Sequence, residues 1–473
     1  MNDMEVSPTH TQASWAILFS KGNALKAIVL ALGVMLHATN VYLATTIMPS
    51  IIKEIGGIQY YAWNTTIFVV ASVIGSVISA NQMTKSGPRK AYQIAILLFS
   101  LGTLLCTFAP TMYILLLGRF IQGYGGGLLF ALSYAMIRLV FTENLWSRAM
   151  ALVSAMWGVA AFSGPFIGGI FAEHGHWRWS FGILLFFCLF IILAASIIIP
   201  KKHNAQTASP IPTVKLLLLT LSVLAVSIGS IQQSIGNNLL GVCAAILLLA
   251  GVIYLEKNSK NRLLPTGAYQ LSSTLGSTYA IMALLTIATA IEIYVPYYAQ
   301  VINGFTPIQA GYLTVLIALG WTISSILFSG CKGKTIRNII LLGGFLMFVG
   351  LIGLSYISLN HTFAPTWQLV LNCIFLLAIG AGIGMGWPHL LTKVFALAPK
   401  GEENLTSSSI TTVQLIATSF GAALAGLVTN LSGITQSTDI VAITNSSLYL
   451  YAIFAITPLV AIVLFLRVKN KTN

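Results

Sequence analysis

Fourteen apolar segments constrain the fold of this chain more than any other feature. A helix needs about 20 consecutive apolar residues to cross a bilayer. Segments of this kind lie at 26–50, 62–82, 92–110, 112–139, 149–172, 179–199, 214–232, 238–255, 276–300, 308–329, 336–358, 367–395, 406–430 and 447–467. Only 7% of the residues are charged, against about a quarter in a soluble protein. The sequence therefore predicts an all-α, polytopic membrane protein with 14 transmembrane helices, and it excludes a soluble globular fold.

Basic residues are distributed unequally between the loops, and this predicts the orientation of the chain. One set of loops and the C-terminal tail carry Lys85, Arg89, Lys90, Arg138, Arg148, Lys201, Lys202, Lys257, Lys260, Arg262, Lys332, Lys334, Arg337, Lys393, Lys400, Arg467, Lys469 and Lys471. The loops on the opposite side carry only Lys53 and Arg178. Because basic loops remain cytoplasmic, both termini are predicted to lie in the cytoplasm. The protein itself is predicted to lie in an inner or plasma-type cell membrane. The asymmetry also explains the net charge of +14 without a nucleic-acid partner.

Two polar linkers predict a 6 + 2 + 6 arrangement of the helices. They lie at 201–212 and 256–265. They divide the chain into an N-terminal six-helix bundle with its tail (1–203), a linker with an inserted two-helix hairpin (204–263), and a C-terminal six-helix bundle (264–473). The hairpin has few polar residues, so we expect it to face lipid. Transporters built from such repeats hold their substrate between the halves, near the bilayer midplane.

Two ionisable residues are predicted to lie deep in the membrane. Most of the ten acidic residues fall in tails or loops, but Glu292 lies inside the ninth segment, and Arg119 lies at a similar depth in the fourth. Such residues are rare and usually functional. Burial disfavours an ionised carboxylate and a nearby arginine favours it, so Glu292 is the candidate proton-exchanging group. The alternative is a static contact of Glu292, with the backbone or with Arg119, that holds the halves together.

His37 is the ionisable residue of the first segment. It lies about eleven residues into this segment, near mid-membrane, and Asn40 shares its helix face. Histidine ionises close to neutral pH, so His37 is a second candidate proton carrier. The alternatives are that His37 binds substrate as a neutral hydrogen-bonding group, or that it is a core histidine whose hydrogen bonds are satisfied within the protein.

The fifth segment contains the stretch GVAAFSGPFIGG, at 158–169. Its candidate gating residues are Gly158, Gly164, Pro165, Gly168 and Gly169. Small residues let a neighbouring backbone approach closely, and proline kinks a helix. The pattern predicts a bent helix that seals against a neighbour and slides on it. The alternative is that glycine is simply common in transmembrane helices.

This stretch, followed by HWRWSF at 176–181, resembles the fifth-helix antiporter signature of the major facilitator superfamily, and most closely its fourteen-helix branch of drug:proton antiporters. LGRFIQGYGGG at 117–127 is similar to the fourth-helix signature of the superfamily. The resemblance implies that Arg119 takes part in proton transfer or holds a polar network within reach of Gln122. It also implies that His37 replaces an aspartate that the family usually carries in the first helix.

The loop ANQMTKSGPRKAY at 80–92 resembles the cytoplasmic gating motif of the same family. Gly87, Arg89 and Lys90 match the motif, whereas Ala80 and Thr84 replace its first glycine and its acid. The resemblance implies a gating latch that is weaker here or is built from other groups. The alternative is a plain basic loop at the membrane surface.

Polar and aromatic residues in several segments are candidates for lining a substrate cavity. They are Asn40, Tyr42, Gln122, Trp157, Phe162, Tyr294, Asn372, Trp387 and Gln414. Aromatic faces suit broad, apolar or cationic substrates. The alternatives are interhelical packing and, for some of the aromatic residues, the interfacial belt.

The resemblance implies a secondary active transporter that works by alternating access and exports amphipathic small molecules of the multidrug type in exchange for protons. A proton-coupled importer, a dedicated metabolite or siderophore exporter, and a non-transporting sensor or scaffold remain alternatives. The sequence has no metal cluster, nucleophile triad or cofactor loop, so we expect neither an enzyme nor a cofactor. Its five cysteines are scattered and are expected to act as small apolar residues. The expected partners are a small-molecule substrate, protons and membrane lipid, and the expected state is a monomer.

Overall fold

The computed structural model describes residues 15–20, 22–142, 145–201, 211–232, 234–257, 259, 261–359, 365–435 and 439–467. Of the basic loop residues named above, Lys202, Lys260, Lys469 and Lys471 lie outside these ranges. Much of the first predicted linker also lies outside them.

Fourteen helices long and apolar enough to span a membrane lie within the described residues, as predicted. They are α1 (Ala24–Ile55), α2 (Trp63–Ser86), α3 (Pro88–Thr107), α4 (Met112–Val140), α5 (Trp146–Glu173), α6 (Trp177–Ile198), α7 (Thr213–Ile231), α8 (Ile235–Lys257), α9 (Thr274–Val301), α10 (Pro307–Phe328), α11 (Lys334–Leu359), α12 (Pro365–Ala396), α13 (Glu403–Leu431) and α14 (Ile440–Arg467). Because successive helices alternate in direction, both termini lie at one end of the molecule. We call this the terminal end, and we call the other the distal end.

The first helix is longer than the apolar segment that predicted it. Hydropathy falls at Lys53 and Glu54, but α1 continues to Ile55 and ends at Gly56, which has a φ of 71°. Glu54 then accepts a hydrogen bond from the Trp177 indole at 2.6 Å and pairs with Arg178. Because Lys53 and Glu54 are charged, the predicted segment ends at residue 50, whereas the helix itself continues to Ile55.

We call α1 to α6 the first half of the molecule and α9 to α14 the second half. Glycines bring corresponding pairs of helices together in the two halves. In the first half, a Cβ atom on Gly123 of α4 would lie 2.2 Å from the carbonyl oxygen of Phe68 on α2. In the second half, a Cβ atom on Gly380 of α12 would lie 2.0 Å from the carbonyl oxygen of Ile317 on α10. Only glycine permits this backbone approach. The same close approach therefore occurs between α2 and α4 and again between α10 and α12.

The two halves contact each other at the distal end. A Cβ atom on Gly169 of α5 would lie 2.7 Å from Ile308 Cα on α10. The Tyr61 ring, just before α2, stacks on Tyr294 of α9 with centroids 4.7 Å apart. Together, the α5–α10 and Tyr61–Tyr294 contacts form what we call the distal seam.

The face of α5 that reaches the distal seam is uncovered towards the terminal end. Residues 158, 162, 165 and 169 share this face, because their spacing follows the helical repeat. Nothing lies within 4 Å of a Cβ atom built on Gly158, and Phe162 is 46% exposed. The halves therefore meet at the distal end, and they separate along α5 towards the terminal end. We call the space between them the gap.

The inserted hairpin differs from its prediction in one respect. Its second helix, α8, carries exposed leucines and faces outwards, as expected. Its first helix, α7, packs against α2 and α13, one from each half. The Trp63 indole donates to the Ser227 carbonyl at 3.2 Å, and the Asn430 amide donates to the carbonyls of Ser230 at 3.0 Å and Gln59 at 3.1 Å. The docking groups on α7 are backbone carbonyls, which side-chain hydropathy does not reveal.

A buried ion pair fixes the base of the hairpin. Lys215 of α7 and Glu256 of α8 lie 2.7 Å apart, with side chains only 7% and 2% exposed. Glu256 also accepts a hydrogen bond from the Leu263 backbone N–H at 2.8 Å. A buried pair needs such additional bonds to offset the loss of hydration. The linker that follows the hairpin is thereby joined to the hairpin itself.

Candidate functional site

Arg119 lies in a buried network inside the first half. It is 1% exposed, and its Nη1 atom donates to Gln122 Oε1 at 2.7 Å, while its Nε atom donates to the Asn64 carbonyl at 3.2 Å. Gln122 is fully buried and donates in turn to the Thr103 hydroxyl at 2.8 Å. The implied polar network is therefore present. Gln122 was also predicted to bind substrate, and in the structure its amide is hydrogen-bonded to Arg119 and Thr103.

His37 is connected to Arg119 through an aromatic ring. The Arg119 guanidinium carbon lies 4.1 Å from the Phe68 ring centroid, which is a cation–π contact. Phe68 also stacks on His37, with centroids 5.3 Å apart. Phe130 and Trp157 contact His37 on other sides, at 5.5 and 6.1 Å. Sequence reasoning missed Phe68 and Phe130, because an apolar ring in an apolar helix carries no signal that separates it from the core.

The interior around His37 and Arg119 is polar. His37 is 3% exposed, and its Nδ1 atom has no hydrogen-bond partner among the described residues. The same is true of both amide atoms of Asn40, which is fully buried, and of Asn64 Oδ1. Most buried polar atoms in proteins are paired. This part of the first half therefore departs from an ordinary apolar core.

Glu292 lies in a break in α9. The helix changes to a 3-10 turn at Ala290–Ile293 and resumes at Val295. Pro296 explains the break, because it lacks the N–H group that would bond to the Glu292 carbonyl in a continuous α-helix. A short 3-10 stretch inside a helix often marks a hinge. The signal was visible in the sequence, where proline follows Glu292 by four residues, but it was not used.

The Glu292 carboxylate is unpaired within the described part of the chain. It is partly exposed, and it forms no ion pair or hydrogen bond with a described residue. It lies close enough to Tyr42 of α1 for the two side chains to interact electrostatically. The static contact with Arg119, which the sequence left as an alternative, is not formed in this conformation, because Arg119 directs its donors into its own half. The carboxylate thus faces the other half without a fixed partner.

Four of the five predicted gating residues of α5 contact α1 or α10, whereas nothing lies within 4 Å of a Cβ atom on Gly158. Gly164 and Gly168 face α1, where added Cβ atoms would lie 3.0 Å from Leu43 N and 3.1 Å from Leu43 O. Pro165 and Gly169 face α10. The helix is continuous across Pro165. Tyr42 also packs against Gly164, so it lies between α5 and Glu292.

Three residues that were predicted to bind substrate are engaged with neighbouring groups of the protein. Tyr294 is 1% exposed and accepts a hydrogen bond from Thr429 at 2.8 Å, so it belongs to the distal seam. Asn372 donates to the Gln368 carbonyl at 2.8 Å and lines a small cavity within the second half. Trp387 packs edge-on against Trp321 at 5.1 Å, so it joins α12 to α10. Gln414 is half-buried on α13.

The predicted gating loop is held by its own half. Gly87 ends α2 with a φ of 77°, which favours glycine. Arg89 Nε donates to the Ile199 carbonyl at the end of α6, at 2.6 Å, and Lys90 is exposed. The group that Arg89 binds is a backbone carbonyl, in place of the missing acid.

Comparison with known proteins identifies the family. The model of the Major Facilitator Superfamily matches residues 30–422. The chain belongs to the major facilitator superfamily. It is thus a multi-pass membrane transporter of small molecules, from a family that is not an enzyme class.

Relatives of this superfamily member carry names connected with drug efflux. A probable multidrug-efflux transporter of Mycobacterium tuberculosis is 34% identical over 429 residues, covering 88% of this chain and 90% of the relative. Multidrug resistance protein 3 of Bacillus subtilis is 25% identical over 85% of this chain and 79% of its own length. Multidrug efflux pump SdrM of Staphylococcus aureus is 24% identical over 70% and 75%.

Solved structures support the superfamily fold. A D-xylose–proton symporter superposes with a TM-score of 0.66 at 14% identity, covering 94% of this chain and 97% of its own. A POT family transporter in complex with a thioalcohol-conjugated peptide gives 0.66 at 12% identity, covering 93% and 95%. At these identities the likeness extends to the fold alone.

Proposed function

We propose that this protein is a proton-coupled exporter of amphipathic small molecules that works by alternating access. The observation that carries the proposal is the position of Glu292, an unpaired carboxylate at a helix break between two halves that are joined at the distal end and apart towards the terminal end. A carboxylate placed there changes its surroundings when the halves move. The names of the relatives favour export of drug-like compounds.

The orientation follows from the basic residues. The terminal end carries most of the basic loop residues, and such loops remain on the cytoplasmic side. Both termini then lie in the cytoplasm, under an inner or plasma-type membrane. In this orientation the structure corresponds to a conformation closed to the outside and open to the cytoplasm.

The transport cycle requires the halves to exchange open ends. We assign residues 1–203 and 264–473 to the two moving units, with α5 sliding on α1 and α10. In the conformation open to the cytoplasm, Glu292 releases a proton inwards and substrate enters the gap. After the distal seam opens, substrate leaves and Glu292 takes up a proton from outside. Burial of an ionised carboxylate is costly, so the protonated form favours the return to the closed seam.

His37 and Arg119 complete the coupling machinery in this proposal. Arg119 supplies a fixed positive charge in the interior of the first half, and His37 lies between it and the gap, beyond Phe68. Protonation of Glu292 removes both its attraction to this positive charge and the cost of burying an ionised carboxylate. The return of the halves and the loading of the proton are thereby linked.

The test is gradient-driven movement in inside-out membrane vesicles that contain the protein. A panel of amphipathic compounds is offered while the vesicle interior is acidic. We expect at least one compound to accumulate inside and to leave again when a protonophore collapses the gradient. Accumulation only when the vesicle interior is alkaline would indicate proton symport, the coupling of an importer. No movement of any compound, beyond that in vesicles without the protein, would contradict transport.

A further inference from the structure

Four aromatic side chains form a continuous surface on the first half. We call this surface, made of His37, Phe130, Tyr134 and Trp157, the aromatic wall. The Phe130 ring lies 5.5 Å from His37, 5.3 Å from Tyr134 and 6.1 Å from Trp157, measured between centroids. The last two contacts are edge-to-face, with interplanar angles of 69° and 84°. This arrangement leaves ring faces and edges available to another aromatic molecule.

The aromatic wall adjoins the gap between the halves. Phe130, Tyr134 and Trp157 are all partly exposed. Trp157 directly precedes Gly158, which has no neighbour within 4 Å on the uncovered face of α5. The Tyr134 hydroxyl bonds to the exposed Ser154 hydroxyl at 3.1 Å, further towards the terminal end. A molecule that enters from the terminal end therefore meets these rings.

Behind the aromatic wall the charge is positive. The Arg119 guanidinium lies against Phe68, and Phe68 lies against His37. Among the described residues of α1 to α6, the acidic side chains are Glu54 and Glu173, both at the distal ends of their helices. Glu54 is already paired with Arg178. No carboxylate of the described first half is therefore placed to compensate a cation bound at the wall.

We propose that the aromatic wall binds the planar aromatic part of substrates that carry no positive charge. Stacking and edge contacts with the exposed parts of Phe130, Tyr134 and Trp157 supply the attraction, and the buried His37 ring packs against Phe130. A cation bound at the His37 end of the wall would face the positive charge of Arg119 across the Phe68 ring, and like charges repel. The Phe68 ring, which could otherwise attract a cation, already contacts Arg119. This inference rests on the proposed transport function and names its substrate class.

The test compares two probes of the same skeleton, neutral phenanthridine and the N-methylphenanthridinium cation, in equilibrium dialysis against the purified full-length protein. We expect phenanthridine to bind at least fivefold more tightly than the cation. Trp157→Ala should weaken phenanthridine binding at least fivefold, and Trp157→Phe should restore most of it. The matched control is Trp179→Ala, because Trp179 is 63% exposed at the start of α6; it should bind like the parent.

Three results would overturn the proposal: binding of the cation as tightly as phenanthridine, no effect of Trp157→Ala, or no binding of phenanthridine at all. Dialysis needs no gradient, so its outcome is separate from that of the vesicle experiment. If phenanthridine binds as expected but no compound moves with the gradient, the binding role of the aromatic wall stands and the exporter function is rejected. If compounds move with the gradient but phenanthridine does not bind as expected, the exporter function stands and the binding role of the wall is rejected.

Discussion

Glu292→Gln is expected to abolish substrate movement driven by a pH gradient, reducing it to the level of protein-free vesicles. Glutamine keeps the size and polarity of the side chain, but it cannot ionise. The variant can still bind substrate and move its halves, so exchange of labelled for unlabelled substrate without a gradient should continue and should no longer depend on pH. Both rates are measured in proteoliposomes across a range of external pH.

The matched control is Glu173→Gln, which neutralises an exposed carboxylate at the distal end of α5. It should retain gradient-driven transport. If Glu292→Gln instead transported at the parental rate at every pH, Glu292 would not be the exchanging group. Loss of exchange together with gradient-driven transport would assign Glu292 to substrate binding or to the fold.

Gly169→Val is expected to open the distal seam. A Cβ atom on residue 169 would lie 2.5 Å from Ile308 Cγ1 and 2.7 Å from its Cα, so the two backbones must separate. Overpacking of this kind costs about 1–3 kcal/mol, which shifts a two-state equilibrium by about 5- to 150-fold. The measurement is the labelling rate of Thr46→Cys by an impermeant maleimide added on the distal side, in a background with the native cysteines replaced.

Thr46 is fully buried and adjoins Gly311 of α10, so its labelling reports opening between α1 and α10. Gly158→Val is the matched control on the same helix face, because nothing lies within 4 Å of a Cβ atom there. Labelling should rise with Gly169→Val and stay at the parental rate with Gly158→Val. Equal labelling in the parent and both variants would show that the seam does not hold the halves together.

Sequence alone predicted the helices because the bilayer requires each of them to be long and apolar. It predicted the docking of α7 poorly, since the groups that bind Trp63 and Asn430 are backbone carbonyls. The end of α1 was also missed, because Lys53 and Glu54 lower the hydropathy while Gly56 is the residue that ends the helix.

The candidate site was predictable to the extent that charge at membrane depth is unusual. Arg119 and His37 were placed in the interior for this reason, and the structure buries both. The partners of Arg119 were not predictable, since the carbonyl of Asn64 and the ring of Phe68 come from another helix. Tyr294 and Trp387 look like cavity residues in sequence, but Tyr294 stacks on Tyr61 and Trp387 packs edge-on against Trp321.

The central claim, that substrate and protons move in opposite directions, is tested most directly by the pH inside proteoliposomes during substrate entry. A pH-sensitive dye is trapped in the lumen, no gradient is imposed, and substrate is added outside. We expect the lumen to become more alkaline as substrate enters, because each entry releases a proton outwards, and we expect Glu292→Gln to remove this change. Substrate entry with an unchanged lumen, or with an acidified one, would contradict it.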